Sequence, residues 1–289
     1  MKIRAPAKIN LSLRVVGKRA DGYHLLDTIM VPVSLYDEIE IRQPRRGAAA
    51  AIQSSPSIEI HCDHPQVPLG RDTLAYRAAE LIMAKAKIHR PLAIHIAKKI
   101  PIGAGLGGGS TDAAAVLLGL NRLWKLRLSA RQLEGLALRL GADVPFFIRA
   151  KPARARGIGE KLKLLPKLRR RWLVLVYPGF PVGTAWVYGN LPPKLTKVGV
   201  NTSIATPLES LDRLAKLLIN DLEQVAIKRY PEIGVVKTKL TLAGAVGVLM
   251  SGSGSSVFGV FKSKRSAEQA FRRMRHEEGV QAFLAHVVN

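Results

Sequence analysis

Five of the ten residues from Pro101 to Ser110 are glycine, and the run passes directly into Thr111-Asp-Ala-Ala-Ala-Val-Leu-Leu118. A segment so poor in side chains suits neither a strand nor a helix interior, but it lets backbone N–H groups converge on one point. Before it, Leu92-Ala-Ile-His-Ile-Ala97 alternates with period two and reads as a strand. After it, the alanine-rich run reads as a helix whose first amides and dipole face the same point. Strand, glycine loop and helix N-terminus together make a cradle for phosphate; a turn that merely permits tight packing is the plainer alternative. A Walker A loop would need Gly-Lys-Ser/Thr, and here Gly109 is followed by Ser110-Thr111. Gly103, Gly105 and Gly108 satisfy GxGxxG, but the next pattern, Ser129 to Leu140, is helical, so the βαβ setting of a dinucleotide site is missing.

The remaining periodicities give strands at 2–16, 27–42, 58–62, 92–99, 172–177, 246–250, 256–261 and 280–288. Helices are expected at 72–88, 111–124, 129–140, 207–229, 231–242 and 265–278. Strands and helices mix without a strict βα repeat, so the fold class is α+β. Composition shifts to Lys, Arg, Pro and Gly near 150–170, which suggests a domain junction and a division into 1–155 and 156–289.

Charge is the other unusual property: 45 Lys+Arg against 21 Asp+Glu give a net +24. That excess favours anionic ligands and raises nonspecific affinity for nucleic acid. The basic residues are nevertheless scattered, with short clusters at Arg45-Arg46, Lys167 to Arg171 and Arg272 to Arg275, and aromatics make up only 6%. A dedicated nucleic-acid protein is therefore not expected. No apolar run approaches the ~20 residues of a membrane span, and the first residues lack a signal-peptide core. The single cysteine, Cys62, excludes an internal disulfide and a cysteine zinc site. A cytoplasmic protein is expected, with no membrane partner.

Four segments could add chemistry to the cradle. In Ala5-Pro-Ala-Lys8-Ile-Asn10-Leu-Ser12-Leu13, period two sets Lys8, Asn10 and Ser12 opposite Ile9, Leu11 and Leu13. That face either meets water or needs polar partners. Asp143, in Gly141-Ala-Asp-Val-Pro-Phe-Phe147, follows a helix end and precedes an extended Val-Pro and two phenylalanines. A carboxylate so flanked is part-buried and needs a cation, unless it is simply a turn residue. With Lys8 as that cation, Asp143 could take the proton of an alcohol while Lys8 steadies a transferring phosphoryl group. Ser251-Gly-Ser-Gly254 joins two strands, and Asp21-Gly-Tyr23-His24 sits in a turn. Each alone is an ordinary connection.

Taken together, these segments resemble the GHMP kinases. Pro-x-Gly-x-Gly-Leu-Gly-x-x-Ser at 101–110 is similar to that family's second motif, Ser251-Gly-Ser-Gly254 to its third, and the strand bearing Lys8 and Asn10 to its first. Asp21-Gly-Tyr-His24, Gly107-Gly-Gly-Ser-Thr-Asp112, Gly141-Ala-Asp-Val-Pro-Phe-Phe147 and Asn220-Asp-Leu-Glu223 narrow the resemblance to one branch. The resemblance spans residues 5 to 261 and implies a two-domain fold with mixed sheets and an active site in the cleft between the domains. The implied reaction is ATP-dependent phosphorylation of the 2-hydroxyl of 4-diphosphocytidyl-2-C-methyl-D-erythritol, on the methylerythritol phosphate route to isoprenoid precursors. By position, Lys8 and Asp143 match the catalytic pair, Asn10 a residue beside it, and Tyr23 and His24 the residues that hold cytosine. Tyr188 matches an aromatic on the far side of the substrate. Pro101, Gly103, Gly105, Leu106, Gly107, Gly108, Gly109, Ser110 and Thr111 match the ATP-phosphate loop, and Lys98 a residue near the adenine. The implied partners are a small-molecule substrate and ATP, with Mg²⁺ on the nucleotide and no protein-held metal, in a monomer or weak homodimer. Met30 stands where an aromatic is usual, Thr73 where Asn is usual, and Arg154 and Arg156 would add positive charge near the substrate's diphosphate.

Overall fold

Apolar residues recur at every second position over two long stretches, and both become strands: β1 (Lys2–Lys18) and β2 (His24–Arg42). The computed structural model describes residues 1–43, 58–192 and 210–289, and packs them into two compact units. Unit 1 is Met1–Ala7, Tyr36–Ile102 and Gly107–Ala150; unit 2 is Lys8–Leu35, Gly103–Leu106 and Lys151–Asn289. Unit 2 resumes at Lys151, near the expected junction, but it also takes in two earlier segments. The reason is length, because strands of 17 and 19 residues are long enough to contribute to both units.

In unit 1, Glu38–Arg42 of β2 pairs antiparallel with β4 (Leu92–Ala97), which pairs parallel with β3 (Ile58–Cys62). Helix α1 (Leu74–Ala86) starts at Thr73, whose Oγ1 accepts from the Tyr76 amide, and buries Ala75, Ala78, Ala79, Ile82 and Met83 on one helical stripe. It packs against α2 (Gly108–Leu123). A Cβ at Gly119 of α2 would lie 2.5 Å from Ile3 Cδ1 and 2.6 Å from Ile41 Cδ1, so glycine is what lets this helix lie close on the strands. Helix α3 (Ala130–Leu138) opens on a reciprocal Ser129–Gln132 capping box. The Val-Pro after Asp143 is not extended as expected. It begins α4 (Val144–Arg149), where a proline in the first turn costs no intrahelical hydrogen bond.

In unit 2, Leu26–Met30 of β2 pairs antiparallel with β5 (Ala153–Gly157), which pairs in turn with β6 (Lys161–Leu164). These strands occupy the stretch read as a bare junction, because its alternating Ala and Arg mask a strand with one buried face. A separate four-stranded antiparallel sheet runs in the order β11 (Gln281–His286), β7 (Trp172–Tyr177), β10 (Val257–Phe261), β9 (Gly247–Met250). Helices α8 (Pro231–Leu242) and α9 (Lys264–Met274) pack against it, and a short α5 (Thr184–Gly189) precedes them in the chain. Each aliphatic side chain fully buried in this core contributes roughly 1.5–3 kcal/mol. The continuous helix expected at 207–229 is broken into α6 (Leu211–Leu217), β8 (Ile219–Asn220) and α7 (Glu223–Arg229). Asn220 and Asp221 break it by binding backbone groups with their side chains. The Arg45-Arg46 cluster and residues 207–209 lie outside the described residues. The pairings are both parallel and antiparallel, so the α+β class with mixed sheets holds.

Candidate functional site

The polar face of β1 is buried, which decides between the two readings of it. Lys8, Asn10 and Ser12 are at most 8% exposed. Lys8 Nζ donates to Asn10 Oδ1 at 2.7 Å, Asn10 Nδ2 donates to Thr28 Oγ1 at 2.8 Å, and Thr28 Oγ1 donates to the Ser12 carbonyl at 2.6 Å. This chain fixes the Asn10 amide orientation and holds Lys8 in one place. Thr28, which sequence reading missed, lies on the neighbouring strand and is recognisable only through strand register.

The same unit contains Gly103–Leu106. Gly103 and Gly105 have φ of +63° and +74°, a conformation that L side chains resist. All four carbonyls of this segment are engaged: Gly103 by the Val182 amide, Ala104 by the Ser256 amide, Gly105 by Ser251 Oγ and Leu106 by the Lys8 amide. With its acceptors taken, what the segment can offer a ligand is N–H groups, which is the requirement for an anion. Leu106 is buried and anchors the segment. The Ser251–Gly254 turn is thus no isolated hairpin, since it packs directly on Gly105.

In unit 1, α2 begins at Gly107, left-handed at φ +75°, with no side chain capping it. The first-turn amides that follow, at Gly108, Gly109 and Ser110, therefore have no partner within the helix. Pro101 and Thr111 are buried beside them in sequence, and Gly109 is exposed. Lys98, expected near the adenine, instead spends its ammonium internally: Nζ lies 2.5 Å from Asp37 Oδ2 and 2.9 Å from Asp112 Oδ2, and the side chain is 4% exposed. Asp37 also accepts from the Lys99 and Ile100 amides, which pins the chain just ahead of the glycine loop. A Cβ at Gly108 would sit 3.0 Å from Lys98 Nζ, so the ammonium lies directly against the start of α2. Burial works against the charged lysine, but Asp112 and Asp37 offset it and hold its pKa above the ordinary value.

One ammonium between two buried carboxylates leaves one negative charge in excess. Burial pushes the Asp112 carboxyl up to about 7, against the pull of Lys98 and helped by Asp37; its Oδ1 has no partner. Folded protein therefore holds a proton that the unfolded chain releases near pH 4, so this group makes stability fall as pH rises from there through about 7. Asp112→Asn removes that slope. Urea unfolding is expected to show the variant gaining on the parent by a few kcal/mol, as an order of magnitude, between pH 5 and 8.5. Parallel stability curves would contradict the assignment. Asp37 was missed in the sequence, although an aspartate inside the apolar alternation of β2 was the available signal.

His24 stacks on Tyr188 with ring centroids 5.2 Å apart and planes inclined by 26°. Burial, with Lys18 nearby, holds the imidazole pKa below its ordinary value, so a neutral ring with one donor and one acceptor is presented. Tyr23, beside His24 in sequence, is 61% exposed. Thr28 stands opposite Ala155 in the β2–β5 register while Asp27 stands opposite Arg156, so Arg154 and Arg156 occupy the face opposite to Asn10 and Thr28. Arg154 Nε binds Asp27 Oδ1 at 2.6 Å. Asp27 thus compensates one of the two guanidiniums, and Arg156, 3.5 Å from the same carboxylate and mostly exposed, leaves one positive charge over. Met30 is buried, Thr73 is spent capping α1, and Asp143 is half-buried in the turn before α4 without capping it.

Comparison with known proteins adds an independent measure. The chain matches the GHMP kinases N terminal domain over residues 73–151 and the GHMP kinases C terminal domain over 203–281. It is 47% identical over 285 residues to 4-diphosphocytidyl-2-C-methyl-D-erythritol kinase of Syntrophotalea carbinolica, covering 99% of this chain and 98% of that one. The protein of the same name from Citrifermentans bemidjiense is 46% identical over 279 residues, 96% of either chain. A crystal structure of 4-(cytidine 5'-diphospho)-2C-methyl-D-erythritol kinase superimposes with a TM-score of 0.83 at 37% identity, with both chains fully covered. Homoserine kinase from Cytophaga hutchinsonii has a TM-score of 0.74 at 18% identity over 100% of this chain and 97% of its own, a likeness of fold alone. No described helix is long and apolar enough to cross a membrane.

Proposed function

The chain belongs to the GHMP kinase family, and on that premise we propose that it transfers the terminal phosphoryl group of ATP to the 2-hydroxyl of 4-diphosphocytidyl-2-C-methyl-D-erythritol. The observation that carries the reading is identity of 47% along essentially the whole chain to a kinase of that name. The stacked His24–Tyr188 pair supports it, since a flat aromatic platform with a neutral imidazole edge suits a cytosine base and has no use in a kinase of a small aliphatic alcohol.

In this reading Asp143 takes the proton of the 2-hydroxyl as its oxygen bonds to the γ-phosphorus and the bond to the ADP oxygen breaks. Lys8, held by Asn10, compensates charge on the phosphoryl group in flight. The amides of Gly103 to Thr111 take the phosphates, with Pro101 and Leu106 fixing the loop's course. Lys98 acts from beneath, through Gly108, rather than on the adenine. In this reading Mg²⁺ rides on the nucleotide, where it neutralises phosphate charge. The same reading makes the partner a small molecule rather than nucleic acid, in the cytoplasm, and asks for no assembly beyond a monomer or weak homodimer.

The test is product formation from ATP followed by mass spectrometry, with homoserine and mevalonate as parallel acceptors. A gain of one phosphate on the cytidylyl substrate alone is expected. Transfer to another alcohol would keep the kinase and overturn the substrate; salt-sensitive nucleic-acid binding without transfer would overturn both.

A further inference from the structure

The Asn220-Asp-Leu-Glu223 run has no part in the scheme above, yet three of its four side chains bind backbone of the segments that carry that scheme. Asn220, 6% exposed, donates both amide hydrogens across the third glycine turn, to the Met250 carbonyl at 2.9 Å and the Gly252 carbonyl at 2.8 Å. Its own Oδ1 accepts from the Leu222 amide at 3.0 Å, so the orientation of the side-chain amide is determined. Asp221 accepts from the Val15 amide at 2.8 Å, and its amide donates to the Leu13 carbonyl, which ties the run to the strand bearing Lys8. Glu223 accepts from the Met250 amide at 2.9 Å and from Lys237 at 2.5 Å.

What Asn220 grips is the turn that touches the catalytic groups. Gly252 is left-handed at φ +56°, and a Cβ there would lie 3.3 Å from Lys8 Nζ and 3.1 Å from the Gly105 carbonyl. Ser251 Oγ binds that same Gly105 carbonyl at 2.9 Å. Lys8 therefore rests against a turn whose two carbonyls are cross-linked by one buried amide. Other outside groups meet the turn one contact at a time, as Gly105 does at Ser251, Thr184 at Ser253 and Phe180 at Ser255, whereas Asn220 binds two of its carbonyls with one side chain.

We propose that Asn220 is a positioning residue for phosphoryl transfer, holding Gly252 in the turn against which the Lys8 ammonium is set. The proposal rests on the reading of Lys8 as the group that compensates phosphoryl charge. Asn220→Asp keeps the shape and the acceptor for Leu222 but turns a carboxylate toward two carbonyls. Its kcat is expected to fall on the order of 10- to 100-fold, as displaced catalytic groups do, with KM for ATP and for the cytidylyl substrate each within about threefold. Because protonation of the introduced carboxyl restores one donor, the deficit should shrink as pH falls, which a merely structural lesion would not reproduce. Asn220→Ser, whose shorter hydroxyl cannot bridge both carbonyls and adds no charge, carries the test if the carboxylate variant fails to fold. In single-turnover measurements it should lower the rate roughly tenfold in the parent and less than about twofold in Lys8→Met, because both changes act on one group. Parental kcat in a folded Asn220 variant, or full additivity with Lys8→Met, overturns the proposal. Parental turnover in Lys8→Met alone overturns the reading of Lys8 beneath it.

Discussion

Asp143→Asn is expected to lower turnover by about two to four orders of magnitude while leaving the melting temperature where it is. Asparagine matches the carboxylate in size and keeps an acceptor oxygen but cannot accept a proton, and Asp143 lies in the turn before α4 rather than in its apolar interior, so the fold tolerates the change. Phosphoryl transfer needs little covalent help from a protein, but an alcohol that keeps its proton is a poor nucleophile. Affinity for ATP should change by less than threefold, because the proposed contacts to phosphate come from loop amides. Steady-state kinetics with mass-spectrometric product detection would read both quantities. A near-parental rate in this variant would remove Asp143 from the mechanism and leave the phosphate loop and Lys8 to be explained without a base.

Gly105→Ala is expected to be the most damaging glycine-to-alanine change among the described residues. Its Cβ would come within 2.1 Å of the Ser251 carbonyl and 3.1 Å of the Gly254 amide, both backbone atoms that cannot rotate aside. The residue also has φ +74°, where a side chain costs about 1–2 kcal/mol before any clash. Adding the ~1–3 kcal/mol of overpacking gives a loss of roughly 2–5 kcal/mol. In a protein of this size that is a fall in melting temperature of roughly 5–15 °C. Nucleotide affinity should fall as well, since the loop can relieve the clash only by moving the amides proposed to hold phosphate. Gly135→Ala is the matched control: it lies in α3 with nothing within 4 Å of an added Cβ, and helix propensity predicts a gain of ~0.5–1 kcal/mol. Equal effects of the two substitutions would mean that the glycine loop tolerates side chains, and the cradle argument would fail with it.

The glycine loop was legible before any coordinates because its signal is local. Consecutive residues without side chains, between a period-two run and an alanine-rich run, admit few conformations, and the left-handed φ values at Gly103, Gly105 and Gly107 realise them. The same holds for β1, whose period-two alternation is itself a local signal. Local signals failed where two tendencies competed within a few residues. Val144-Pro145 read as extended, yet a proline near a helix start is also favourable. The 207–229 stretch read as one helix, yet Asn220 and Asp221 had stronger partners on distant segments.

Sequence by itself determined the α+β class, the kinase family and the identity of the groups proposed for chemistry, because those are carried by residue types at fixed spacing. Tertiary structure alone decided what those groups touch. Whether Lys8 faces water or an Asn10 held by Thr28, 18 positions on, whether the Lys98 ammonium meets a ligand or two buried carboxylates, one of them 61 positions away, and whether Arg154 adds charge or binds Asp27, 127 positions away, depend on strand register and packing. A hydrogen bond acts over about 3 Å of space and is indifferent to distance along the chain. No pattern read along the chain could have placed Asp37 under Lys98, or the amide of Asn220 across the turn beside Lys8.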